Sequence, residues 1–322
     1  MNPVRYHVRH DTTYHYDQPV GESHQLLRLT PRELPWQRCV AHRLEIEPTP
    51  AREHNFVDSF GNSVRALHFE SDHDSLVVRC ESWIELHPRP LPNPDHAPPW
   101  ESVRDALRYR AGKQLDPDTL EASAFLFEST DIRVKRDFAD YASASFEPGT
   151  PLPVAVNSLM QRIFEEFTFD PSATDVTTPV TEVFANRRGV CQDFAHFMIS
   201  CLRSLGIAAR YVSGYLLTRP PPGRPRLIGA DATHAWVSVF CPGFGWMDYD
   251  PTNAIRPYLE HITIGWGRDF SDVSPLRGVI LGGGGHEPEI AVTVVPEAEF
   301  RDLYADADNP SLSLPLPLQC SG

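Results

Sequence analysis

The sequence predicts an α+β protein, with an N-terminal β-sandwich followed by helices packed on an antiparallel sheet. Three observations carry this. Residues 1–87 hold five short runs rich in β-branched and aromatic residues, each bounded by turn formers. A proline-rich stretch at 88–99 then ends that pattern, and apolar residues begin to recur at three- and four-residue steps. Finally, a strong helix near 191–205 is followed by three strand-like segments in series, which is the order of a helix-on-sheet layer.

The β-type runs are 6–16, 26–29, 40–46, 64–69 and 76–86, with Phe60, Gly61, Asn62 and Ser63 as the clearest turn. Short strands at such spacing suit a small sandwich. Beyond the prolines, Val154, Leu159, Met160, Ile163, Phe164 and Phe167 follow helical periodicity, and 179–186 reads as a short helix. Gly189 breaks the chain. The next helix has Phe194, Phe197, Met198, Cys201, Leu202 and Leu205 on one face and Gly206 as its stop. Strands are expected at 208–217, 234–240 and 246–250, with a proline-rich loop at 219–229 and a turn at 242–245. After Asn253 the pattern is less regular, apart from a strand near 290–295. The expected division is a β-sandwich domain at 1–90, a core domain at 100–300 and a disordered tail at 301–322.

Composition narrows the function. The 322 residues carry a net charge of −14, which disfavours nucleic acid and anionic membrane surfaces as partners. No apolar run reaches membrane-spanning length, and the polar, His-rich start at 1–17 has no signal core, so a cytoplasmic location is expected. The six cysteines form no C-x-x-C pair, so neither zinc nor a disulfide framework is expected. Gly282 to Gly285 lacks the strand-Gly-Lys-Ser context of a phosphate cradle.

Cys191 stands apart from the other thiols because it begins the strongest helix. Unpaired N–H groups and the helix dipole favour negative charge there, hence the reactive thiolate, and the same N–H groups suit an oxyanion. A thiolate needs a base, and His234 at the start of a strand is placed for that. The His needs an acceptor for its second ring nitrogen. The next strand ends in Asp248 and Asp250, and the intervening turn brings that end beside His234. Alternation puts Asp248 and Asp250 on one strand face, so the pattern alone leaves both open.

The segments GVCQDFAHF (189–197), RYVSGY (210–215), DATHAWV (231–237) and GWMDYDPTN (245–253) together resemble the bacterial transglutaminase-like superfamily. GRDFSDVSP (267–275) and the N-terminal β region also resemble its bacterial branch, so the likeness covers about residues 3–297. The resemblance implies a papain-like core and a Cys-His-Asp triad carried by Cys191, His234 and Asp250. It favours Asp250 over Asp248, because Asp250 precedes Pro251 and Thr252.

The implied chemistry is acyl transfer or hydrolysis at an amide bond of a protein or peptide, through a thioester. No cofactor is expected, and calcium is not carried over because no EF-hand-like loop is present. The alternative is an inactive binding or scaffold module on the same fold. Asp193 and His196 lie beside the nucleophile on its helix and are expected to be structural, as are Cys201, Cys241, Trp236 and Trp246.

Overall fold

The computed structural model describes residues 2–108, 111, 112, 114–218, 231–285 and 287–304. The expected proline-rich loop at 219–229 and all but the first four residues of the expected tail lie outside these residues.

The chain opens with β1 (Val4–Leu27), β2 (Gln37–Glu47), β3 (Arg52–Val57), β4 (Ser63–Phe69) and β5 (His73–Leu86). β1 is one long strand where the sequence suggested two, and its pairing shifts between His15 and Val20. Pro19 lies in that shift, and a proline can donate nothing to a ladder, so the strand bulges there and continues.

Four short helices follow: α1 (Trp100–Leu107), α2 (Pro117–Ser123), α3 (Arg136–Ser143) and α4 (Leu152–Glu166). A two-residue strand β6 (Thr168–Phe169), α5 (Val180–Asn186) and β7 (Arg188–Gly189) lead into α6 (Cys191–Ser204). Then come β8 (Ala209–Leu216), β9 (Thr233–Cys241), β10 (Gly245–Tyr249) and β11 (His261–Gly267), and these four form an antiparallel sheet in the order β10-β9-β8-β11. A short helix α7 (Phe270–Val273), strands β12 (Leu276–Gly282) and β13 (Pro288–Pro296), and α8 (Glu297–Tyr304) close the described chain.

Two features differ from the expected division. The N-terminal part is hydrogen-bonded as one seven-stranded sheet, in which β5 and β4 lie along successive halves of β1. β12 and β13 complete that sheet by pairing with β1, so residues 276–282 and 288–296 pair with the N-terminal sheet although the boundary at 100–300 assigned them to the core. Their hydrogen-bonding partner is the first strand of the chain, far upstream in sequence, which no local pattern records. Residues 301–304 are the end of α8 and not the start of a tail; Glu297 and Glu299 in its first turn complement the helix dipole.

α6 was expected to be amphipathic, yet every residue from Asp193 to Arg203 is buried. It packs on β9 and β8 on one side and on α3, α5 and α4 on the other. A helix enclosed on all sides buries its polar positions too, so these must find partners inside. Arg203 does so by donating to the carbonyls of Ala209 at 2.8 Å, Arg268 at 2.7 Å and Phe127 at 2.8 Å.

The two sheets share a core. Tyr6, Val8, Cys39, Ile84, Leu86, Val292 and Val294 of the N-terminal sheet pack with Tyr215, Ile262 and Ile264 of the second. The exposed edge of β11 is covered by two buried amides from the N-terminal region. Gln37 accepts from Thr263 N–H at 2.7 Å and donates to its carbonyl at 2.6 Å. Asn62 treats Trp266 the same way, at 3.0 and 2.8 Å. Each side chain replaces a missing neighbour strand at one residue, which both closes the edge and fixes the sheets together.

Candidate active site

Cys191 is the first residue of α6 and the only one of the five described cysteines that is not buried; none of the five forms a disulfide. Burial pushes the thiols of Cys80 and Cys241 up to about 12 and raises that of Cys201 well above its ordinary value, which leaves them inert packing groups. The start of α6 is held by Asp193, whose carboxylate accepts from Val190 N–H at 2.8 Å and from the Thr174 hydroxyl at 2.7 Å. A Cβ at Gly189 would stand 2.5 Å from that carboxylate, which is why glycine precedes the turn. Asp193 thus serves the helix terminus.

His196, one turn further on, accepts from Phe270 N–H at 3.1 Å, and its ring lies 5.0 Å from that of Tyr211. Burial lowers its pKa to about 4 and keeps it neutral. Both residues make contacts that hold structure around the cysteine.

His234 lies on β9, opposite Gly214 of β8. Its Nε2 is 2.7 Å from Asp250 Oδ2, and Cys191 is near enough to act electrostatically on the imidazole. The imidazole is thus bonded to a carboxylate and influenced by a thiol. Burial disfavours its charged form, but the interactions with Asp250 and Cys191 outweigh burial and raise its pKa to about 10.

Asp250 is fully buried one residue beyond β10. Its Oδ1 accepts from the N–H groups of Thr252 at 3.0 Å and Asn253 at 3.3 Å. Its Oδ2 takes His234, the Asn253 amide at 2.8 Å and His261 Nε2 at 3.1 Å. Burial opposes ionisation of this carboxyl, yet the two histidines hold it well below the usual carboxylate range.

Asp248, left open by the strand pattern, faces elsewhere: it pairs with Arg89 at 3.0 Å. The structure thus brings Cys191, His234 and Asp250 together. It also reveals two supports that sequence reasoning missed, Asn253 and His261. Asn253 sits inside a motif already singled out, and its spacing from Asp250 could have suggested an Asx-type turn. His261 lies on β11, after the pattern becomes irregular, and only the sheet order brings it to Asp250.

Two further residues shape the site. Trp236 is buried, edge-on to His261 with ring centroids 5.3 Å apart, and forms part of the floor. Gly214 must lack a side chain, because a Cβ there would stand 2.0 Å from Ile262 O and 2.6 Å from the Trp236 ring. Tyr215 does not line this site; its hydroxyl bonds His10 Nδ1 at 2.8 Å and joins the two sheets.

A model of the transglutaminase-like superfamily matches residues 138–251, which hold Cys191, His234 and Asp250, and a model of the bacterial transglutaminase-like N-terminal region matches residues 6–85. The chain belongs to the transglutaminase-like superfamily. An uncharacterized protein of Mycobacterium tuberculosis is 40% identical over 300 residues, 91% of this chain and 93% of that one.

A protein-glutamine gamma-glutamyltransferase of Pseudomonas aeruginosa is 35% identical over 133 residues, 38% of this chain but only 20% of its own length. Among solved structures, a protein of Cytophaga hutchinsonii provisionally described as a cysteine protease superposes with a TM-score of 0.69 at 18% identity, covering 92% of each chain. That likeness extends the shared fold to nearly the whole molecule. Membership in this superfamily supports cysteine-based acyl transfer or peptidase chemistry in general. No described helix is long and apolar enough to cross a membrane.

Proposed function

We propose that this transglutaminase-like protein is an active cysteine acyltransferase or hydrolase that acts on amide bonds of protein or peptide substrates, with Cys191 as nucleophile, His234 as general base and acid, and Asp250 as the group that orients the His. The observation that carries this reading is a single imidazole hydrogen-bonded to a buried carboxylate and acted on by a partly exposed thiol.

The steps follow from that arrangement. His234 holds the proton, as its raised pKa favours, and the Cys191 sulfur attacks the amide carbon. The N–H groups of the first turn of α6 have no partner within the helix and are available to the oxyanion. His234 returns the proton to the leaving nitrogen, the C–N bond breaks, and ammonia or an amine departs from a Cys191 thioester. A second acceptor then attacks, giving up its proton to His234, and the C–S bond breaks. An amine acceptor yields a new amide; water yields an acid. Asp250 keeps the imidazole in one orientation and tautomer throughout and favours the imidazolium that forms. The reading also places the protein in a reducing, cytoplasmic setting, where a reactive thiol stays reduced.

The test is to incubate the full chain with a glutamine-containing peptide and a labelled primary amine, with Cys191→Ala alongside. Label incorporation or ammonia release that Cys191→Ala abolishes, with an acyl-enzyme visible by intact mass in the active protein, supports the reading. Slow alkylation of Cys191 at neutral pH, unchanged in His234→Ala, together with no product from any amide or peptide, would instead make the chain a non-catalytic module.

A further inference from the structure

We propose that the outer face of the N-terminal sheet carries a divalent transition-metal site formed by Glu22, His24 and His68, of the chemistry that suits zinc. Glu22 and His24 are two residues apart on β1 and so project from the same face. His68 of β4 stands directly opposite His24 in the ladder. The two imidazoles lie parallel, 4.1 Å apart at an interplanar angle of 11°. Both turn Nε2 toward one carboxylate oxygen: Glu22 Oε1 is 3.2 Å from His24 and 3.1 Å from His68. All three donor atoms lie within 4.8 Å of one another.

The donor set and its spacing fit a metal. Two neutral imidazoles and a carboxylate are ligands of borderline ions such as zinc, whose bonds to them run about 2.0–2.2 Å in a tetrahedron, placing neighbouring donors about 3.3 Å apart. The separations to Glu22 need to open by only a few tenths of an ångström. His68 also has the outer support that ligating histidines use: its Nδ1 is 3.4 Å from Glu70 Oε1, and Glu70 is itself paired with Arg52 at 3.2 Å.

A carboxylate on Nδ1 fixes the tautomer that leaves Nε2 free to bind metal. Three protein donors leave a fourth position for water. The bound ion would clamp β1 to β4 near the bulge where β1 changes partners. The chain as a whole carries a net charge of −14, which favours a cation. The site shares no residue with the Cys191 centre and stands whatever the fate of the proposed reaction.

The experiment is titration of the full metal-free chain with zinc by calorimetry, and with cobalt(II) by visible absorption, in wild type, His24→Ala, His68→Ala, Glu70→Gln and His234→Ala. The proposal expects one equivalent bound, with the visible bands of tetrahedral cobalt. His24→Ala and His68→Ala should each lose that equivalent, Glu70→Gln should weaken it by roughly 10- to 100-fold, and His234→Ala should leave it unchanged. His24 is exposed, so its variant folds, and far-UV circular dichroism checks this. No binding by wild type overturns the proposal. So does binding that survives both His24→Ala and His68→Ala, or that disappears in His234→Ala, since His234, Asp250 and His261 are the other described group able to hold a metal.

Discussion

At His234 two opposing effects meet, and their balance sets how the protein responds to pH. Burial alone would keep the imidazole neutral, but Asp250 and Cys191 raise it from the ordinary 6.5 to about 10. A folded-state pKa above the unfolded one stabilises the fold fully below about pH 6.5 and loses that contribution as pH rises through about 10. Thermal unfolding of the wild type should therefore show Tm falling over this alkaline window, and the fall should flatten in His234→Ala. A parallel decline in both proteins would show that the ion pair is not formed.

His261 acts on the same network through Asp250, where its Nε2 is 3.1 Å from Oδ2 while its Nδ1 is buried without a partner. It is a positioning residue. His261→Phe should lower kcat by roughly 10- to 100-fold, because a displaced carboxylate misaligns the base. It should also shift the pH profile of kcat, which a packing defect alone would leave in place. An unshifted profile with unchanged kcat would assign His261 to packing.

Among the elements, β8 and β9 set the site most tightly. Gly214 lies opposite His234 and against Ile262, with no room for one additional carbon. Gly214→Ala should cost about 3 kcal/mol or more, or prevent folding, because the obstacle is backbone rather than a movable side chain. Denaturant melts would measure this, and a loss below about 1 kcal/mol would mean that β11 can shift away. α6 contributes differently. Its buried flanks fix the helix, so Cys191 at its first position inherits a rigid backbone. The cysteine can therefore be partly exposed without being loosely held.

Across the whole molecule, the N-terminal sheet is structurally inseparable from the site-bearing half. β12 and β13 leave the second sheet's neighbourhood and pair with β1, while Gln37 and Asn62 seal the β11 edge next to His261. A chain beginning near residue 100 should be insoluble or inactive, since β12 and β13 would be strands without partners and β11 would be an open edge. Full activity in that truncated chain would overturn this.

Gln37→Ala leaves the Thr263 N–H without its partner in a buried place, while the Thr263 carbonyl keeps the Arg32 N–H at 3.2 Å, at a cost of about 1–3 kcal/mol. Asn62→Ala should do the same at Trp266. Chemical denaturation of the two single variants and the double variant would show whether the amides act as separate clamps or one.

Much of the site was legible locally. Cys191 at a helix start, His234 at a strand start and Asp250 beyond the next strand are features of short segments, and helix termini and hairpin turns are fixed by neighbours in sequence. The three strands around them fall close to where the pattern predicted, for the same reason. The choice between Asp248 and Asp250 was not local, since both share a strand face; the structure separates them by giving Asp248 to Arg89.

His261 and the return of β12 and β13 to β1 were also invisible. Each depends on which strands become neighbours, and that is decided by burial of apolar faces across the whole chain rather than by any residue's own surroundings. The sequence by itself singled out the candidate residues and the elements that present them. Only the tertiary structure decided what holds Asp250, how the two sheets close on each other, and which histidines meet on the outer face, because contacts between distant segments arise only when the chain has collapsed around a common core.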